Sequence, residues 1–461
     1  MIRKCSVSFA AARGPWIAGL VGALLSVAGG AHGFTDSEVR AIVANERPAA
    51  QFPDAGGVWM ARQRVVDIDG VGNAVIVEHL LARVFDPAWG AARFAPHRRT
   101  YWAEFNALQV ARAGVWSSRD QFAPLPQEAV QDQLNPAVGE VGSYSELRES
   151  TLAFPPLAAG EVVEIKLVWT CRIPPYDRNV RWLEETFGAE EPVVEQQLVL
   201  IMPAAASLDT LALGAPLHRQ LRYVDGKREI TWMSGNLPPV GGPFVETPWD
   251  RVPAAGVTLS PAASRLVYTS MTDWTWAGRF YGAQWEESWR QRSVEADRLA
   301  TEFTQREPEP RARALAIERH VRDEVRTIAA ADRQFGLWPF PASRVALERA
   351  GVGRDKSLFL VSLLRSAGLE AYPILVRERA DAWADSLPSI AQLDRFIVRT
   401  RVPAGDTLWL DPIRRSVPVP AGKGLLFAGP RDPRPDWLGA GLVHFPGLPA
   451  DEAGSPAGAL E

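Results

Sequence analysis

The sequence predicts an α+β protein, an N-terminal antiparallel β-sandwich followed by a smaller α+β unit. Three observations predict it. From Gly57 to about Met271 apolar and polar residues mostly alternate, the period of strands with one buried face. After Asp273 the apolar residues recur at three- and four-residue spacing, as on a helix. Beyond Glu370 three short apolar segments return to strand-like patterning. With 461 residues, 47% hydrophobic and 23% charged, the chain is long enough for two cores and has ordinary globular composition.

The first 33 residues read as a targeting segment. Arg3, Lys4 and Arg13 make a positive start, Trp16 to Ala28 an apolar run, and Ala31-His32-Gly33 a cleavage point of small residues. A retained anchor is the alternative, but the run is shorter than the ~20 residues of a membrane span. Cleavage after Gly33 predicts an exported, periplasmic or secreted protein with no stable membrane span. It removes three cations and no acids, so the formal charge falls from −4 to −7. A mildly acidic chain argues against nucleic acid as a partner. Only Cys171 would remain, so no intrachain disulfide can form.

Residues 34–265 are expected to form the β-rich domain. "GVWMARQRVVDIDGVGNAVIVEHLLARVF" reads as a hairpin turning at Asp69–Asn73, and "WAEFNALQVARAGVW" continues it. Pro155, Pro156 and Gly160 punctuate a second strand pair. "EQQLVLIMP", "REITWM" and "RLVYTSM" are further strands, and the 17 tryptophans are scattered as packing residues. Cys171 alternates with Trp169 and Ile173, the pattern of a buried structural thiol.

Residues 266–428 are expected to form the second domain, and 429–461 a Pro/Gly-rich tail. Helices are predicted over 273–303 and 311–329, with Pro308 and Pro310 between them, and a short one in "FPASRVALERAG". His320 has no second histidine one turn away and matches no zinc signature, so it reads as a solvated helix-face residue. Helix 354–367 is apolar nearly all round and ends at Gly368, which predicts burial on most sides. Such a helix start, opening at a loop, suits activation of a thiol by the helix dipole. Its first turn nevertheless holds Gly353, Arg354, Asp355, Lys356 and Ser357, with no cysteine.

The order and spacing of these segments resemble the bacterial exported transglutaminase-like proteins, whose papain-type domain follows an N-terminal β-rich domain of unknown function (DUF3857). The helix start "GVGRDKS" (351–357) is similar to that family's G-D-C-K-D-K-A, "LDRFIV" (393–398) to its F-N-H-[VA]-I-V, and "WLDPI" (409–413) to its W-L-D-P-T. "TLAFPPLAAGEVVEIKLVWT" and "TDWTWAGRFY" resemble the family's N-terminal domain and its exit, so the likeness spans roughly residues 60–425. It implies a fold and a degenerate catalytic triad. The nucleophile's position falls on Gly353, the base's on Arg395 and the acid's on Asp411. A guanidinium cannot take a proton as a base, and acyl transfer by a thiol needs both nucleophile and base.

The resemblance therefore implies a pseudoenzyme of the cell envelope, without catalytic residues, cofactor or metal. Its old cleft would serve as a protein- or peptide-binding groove, with Asp355, Lys356, Ser357, Asp394 and Trp409 as possible groove residues. An amidase, peptidase or acyltransferase with relocated residues is the alternative. A structural module with a closed cleft is a third. Ser357 lies on the face of Gly353 with no identifiable base, and a hydroxyl there is expected to bond its own backbone. Asp355, Asp394 and Asp411 could hold a hard cation, but Arg354 and Arg395 compete for the same oxygens. Lys356, one of four lysines after residue 33, suggests a packed role. Arg395 and Asp411 are expected to form a charge-assisted pair across neighbouring strands.

Overall fold

The structure is a computed structural model that describes residues 33–139, 141–173, 180–254, 257–291, 293–329, 337–377, 384–403, 407–415, 423–427 and 442–444. The expected signal segment (but for Gly33) and most of the expected tail lie outside the described residues.

The chain is mixed α+β and strand-rich, with several sheets. An eight-stranded sheet is built from β1 (Gly57–Ile68), β2 (Ala74–Val84), β4 (Asn106–Ser118), β5 (Gln121–Pro124), β8 (Val162–Cys171), β10 (Val193–Pro203), β12 (His218–Val224) and β13 (Lys227–Leu237). Their order is β12-β13-β10-β1-β2-β8-β4-β5. The predicted hairpin is β1–β2, closed by the Asp69 carboxylate, which accepts from the backbone N–H groups of Val71, Gly72 and Asn73 at 2.5–2.9 Å. Alternation explains the core: Ile230, Leu200, Val66, Ile76, Trp169 and Leu108 lie opposite one another in register across six strands. That row faces one hydrophobic cluster.

Two smaller sheets close over that cluster. One has five strands, β11 (Asp209–Gly214), β16 (Ser264–Thr269), β9 (Trp182–Phe187), β15 (Arg251–Pro253) and β14 (Phe244–Glu246), in that order. The other orders β3 (His97–Trp102), β7 (Leu147–Leu152) and β6 (Val130–Leu134). Leu183, Phe187, Leu266 and Tyr268 from the first, and Tyr101 and Leu152 from the second, share the core of the large sheet. The expected all-antiparallel arrangement is corrected in one respect. β1 and β10 run parallel over seven registered pairs, and β9 and β15 meet in parallel at one. The long excursion through β2–β9 returns the chain beside β1 in the same sense, which no local turn signal encodes.

The helices α1 (Asp36–Ala44) and α2 (Pro87–Phe94) lie within this half. The later part holds α3 (Trp274–Arg290), α4 (Val294–Arg306), α5 (Pro310–Glu324), α6 (Ala342–Glu348) and α7 (Gly353–Ser366). The single helix expected over 273–303 is two, because Ser293 caps α4 by accepting from Ala296 N–H. A sheet orders β21 (Thr407–Leu410), β20 (Arg395–Arg401), β19 (Glu370–Val376), β22 (Lys423–Leu426) and β23 (Leu442–His444). β17 (Arg326–Thr327) and β18 (Ala350–Gly351) form a short parallel pair. Helix α7 is central. Phe359, Leu360 and Leu364 pack with Ala300, Ile317 and Val321 of the neighbouring helices and with Ala371 and Val398 of the sheet. Leu358 joins a second cluster with Trp285, Leu375 and Phe396. Gly368 ends the helix in the left-handed region at φ 78°.

Candidate functional site

The first turn of α7 carries no side-chain cap on Val352 and four consecutive buried polar residues. Arg354, Asp355 and Lys356 have polar partners. Asp355 accepts from Phe340 N–H at 2.8 Å, from Arg354 Nε at 3.1 Å and from the Tyr144 hydroxyl. The same Tyr144 oxygen accepts from Val352 N–H at 3.0 Å. Burial, then the Asp355 charge, pushes the Tyr144 phenol well above its ordinary range, so it stays a donor. Tyr144 belongs to the N-terminal half. With Trp102, Val138, Val141 and Leu147 it forms an apolar cluster against Ile328, Ala350 and Val352. The start of α7 is thus walled by residues of the N-terminal half.

Lys356 is fully buried and donates to the carbonyls of Arg322 (3.2 Å) and Val325 (2.7 Å) and to Thr327 Oγ1 (2.9 Å). Its ammonium therefore closes the C-terminal end of α5, where helix carbonyls lack partners. Ser357 is also fully buried, and its hydroxyl has no hydrogen-bond partner among the described residues. The expected bond to its own backbone is absent. Asp355, Lys356 and Ser357 have no exposure, so a groove does not run over them. Long-range partners cover what the sequence suggested would be open.

Arg395 opens β20 and Asp411 follows β21, its antiparallel neighbour, in which Val398 faces Leu410. The guanidinium and carboxylate form an ion pair, with side chains 9% and 1% exposed. Asp411 also accepts from the backbone N–H groups of Ile413 (2.8 Å) and Arg414 (3.1 Å), which fixes the turn after β21. Arg377, beyond the end of β19, donates to the Gln392 carbonyl at 2.8 Å and ties the segment before β20 to the sheet. Asp394 and Trp409 are half-buried, and the Arg399 guanidinium lies 5.2 Å from the Trp409 ring centre.

The histidines of the described residues sit on β2, β3, β12, α5 and β23, none of them on α7, β20 or β21. His320 is half-buried against Phe303, not fully solvated, and burial lowers its pKa. Cys171 is buried on β8, and burial pushes its thiol far up. Among the described residues no group of His, Cys, Asp or Glu has the spacing of a metal site. Tyr144 and Arg377 were not legible as site residues. A lone Tyr or Arg in a loop carries no periodic signal, and Tyr144 lies 211 residues from its partner Asp355.

Residues 72–241 match the family described as "Domain of Unknown Function with solved-structure structure (DUF3857)". The crystal structure of a "putative protease" from Parabacteroides distasonis is similar over 81% of this chain and 70% of its own, at 15% identity and a TM-score of 0.68. At that identity the likeness concerns the fold alone. A "putative cysteine protease" from Cytophaga hutchinsonii covers 54% of this chain and 79% of its own at 13% identity. Its TM-score of 0.24 is too low to carry an argument. No protein of curated function is similar enough to count as a relative.

Proposed function

We propose that the chain is a catalytically inactive transglutaminase-like protein of the cell envelope, in which a papain-type domain over residues 266–428 serves as a scaffold. The observation that carries the reading is the buried Arg395–Asp411 pair, standing where the resemblance puts a base and its acid. A guanidinium held by a carboxylate keeps its proton and cannot activate a nucleophile. Gly353, at the nucleophile's position, offers no side chain. The burial of Asp355, Lys356 and Ser357 favours a filled cleft over a peptide groove at the helix start. Binding of an envelope protein or peptide would then use other surfaces, Asp394 and Trp409 being the half-buried candidates among those named.

The experiment is a graded restoration. Gly353→Cys, Arg395→His and the double variant would be incubated with a glutamine peptide, whose amide leaving group must be protonated by a base that has taken the thiol's proton, and examined by intact mass. The single cysteine variant is expected to form no acyl-enzyme, since no base stands beside it. An acyl adduct at residue 353 in the single variant would overturn the reading. Export is tested separately: the mature protein should begin near Phe34, and a membrane-held species retaining residues 1–33 would refute it.

A further inference from the structure

Charge is concentrated a second time inside the N-terminal half, away from α7. Arg62 reaches Glu246 at 3.0 Å. Arg64 reaches Glu78 at 2.6 Å and Glu185 at 3.0 Å, and Arg251 reaches Glu246 at 2.9 Å. Arg99 joins the two ends, at 2.7 Å from Glu246 and 3.4 Å from Glu78. Four guanidiniums thus share three carboxylates among the described residues, and no side chain of the seven is more than 14% exposed. Asp250, also buried, lends its negative charge toward Arg64, so the crowded cations are those around Glu246, where Arg62, Arg99 and Arg251 all reach one carboxylate and an anion would relieve them.

The cluster opens on a cavity of about 480 Å³, lined by Arg62, Arg93, His97, Arg99, Phe244 and Glu246 among others. Two groups there hold unused hydrogen-bonding capacity. Arg93 meets Glu190 and Glu191 only at 3.7 and 3.9 Å, beyond hydrogen-bond reach. His97 is 7% exposed, and its Nε2 is buried without a partner among the described residues. Burial, then the Arg99 charge, lowers the His97 pKa well below its ordinary value and leaves the ring neutral. Burial, then Arg251, also pulls the Arg62 guanidinium downward, whereas Glu185 and Glu78 hold Arg64 above its ordinary value, so the cavity side of the cluster is the less neutralised one.

We propose that this cavity binds a small organic anion, a carboxylate or phosphate group seated among Arg62, Arg93 and Arg99 with His97 beside it. The planar forks of arginine match either oxyanion. The volume lies in the range of small-molecule sites and far exceeds a bare inorganic ion. Phe244, Val245, Pro96 and Pro243 offer apolar wall for the body that carries the charge. The site stands whether or not the C-terminal half is catalytic.

The test is calorimetric titration of the full chain with phenylacetate, phenyl phosphate, inorganic phosphate and the neutral benzyl alcohol. At least one aryl anion should bind, and the tighter of the two identifies the head group. Benzyl alcohol should not bind, and inorganic phosphate should bind about tenfold more weakly than the better aryl anion. Arg93→Gln should weaken binding about tenfold with the unliganded melting temperature unchanged, whereas Arg222→Gln on the exposed β12 should change nothing. Arg62→Gln removes a buried partner of Glu246, so Arg93→Gln is the deciding variant. No binding of either aryl anion at millimolar concentration overturns the proposal. So does equal binding of benzyl alcohol or of inorganic phosphate, or indifference to Arg93→Gln.

Discussion

Replacing Arg395 by Met tests how the second half is held together. The substitution removes the cation from a pair whose side chains are 9% and 1% exposed, and strands the Asp411 carboxylate. Breaking a buried pair by deleting one partner costs about 3–5 kcal/mol. Asp411 would keep the N–H groups of Ile413 and Arg414, which satisfy one of its oxygens, so the lower end is expected, about 3 kcal/mol. Asp411→Leu strands the guanidinium instead and also removes the turn bonds, for a similar or larger loss. The double variant Arg395→Met/Asp411→Leu removes both charges of the pair and should lose less than the sum of the two, leaving a coupling energy of about 2–3 kcal/mol. Equilibrium unfolding in guanidinium, followed by circular dichroism for all four proteins, gives the cycle. Single losses below about 1 kcal/mol, the value of an exposed pair, or strict additivity, would refute the reasoning.

Three further outcomes are expected. Burial pulls Lys356 from 10.5 to about 8, so the unfolded chain binds more protons between those values and stability should rise with pH across that window. Lys356→Met should remove that rise, measured as the difference in denaturant midpoint against pH; an identical slope would refute it. Tyr144→Phe deletes a donor to buried Asp355 and an acceptor for Val352 N–H, at about 1–3 kcal/mol, and should speed proteolysis near residues 340–353. Unchanged cleavage would count against Tyr144 as the clamp. Gly72→Ala places a side chain at φ 100°, where the added carbon would collide with the Arg181 guanidinium. A loss of about 1–3 kcal/mol in thermal unfolding is expected, and a neutral result would show that the turn relaxes.

Legibility in the sequence followed the range of the interaction. The strands β1, β2, β8, β10, β19, β20 and β21 and the helix α7 were readable because their periods are local. Arg395 and Asp411 were readable as a pair through the resemblance, which puts a base and its acid on neighbouring strands, and β20 does pair with β21. The burial of Asp355 was not, because its cover comes from Tyr144, 211 residues earlier. The cationic cluster was also hidden. Arg62 and Arg64 sit at alternate positions, as solvent-facing strand residues do, and only the chain's return through Arg99, Glu185 and Arg251 turns that face inward. The parallel β1–β10 pairing was invisible for the same reason.

That pairing divides the large sheet along a seam. On one side β1, β2, β8, β4 and β5 are joined by antiparallel neighbours, and on the other β10, β13 and β12 form a self-contained meander. The seam itself joins residues 134 positions apart, as in the Gln63–Gln197 side-chain bond. Closing so large a loop is slow relative to hairpin formation. β1 is therefore expected to keep one open edge until β10 pairs with it. A chain cut between Cys171 and Val193 would yield fragments suited to reassociation along that line, and a chain shortened before Val193 would leave a bare apolar edge in the middle of its own sheet.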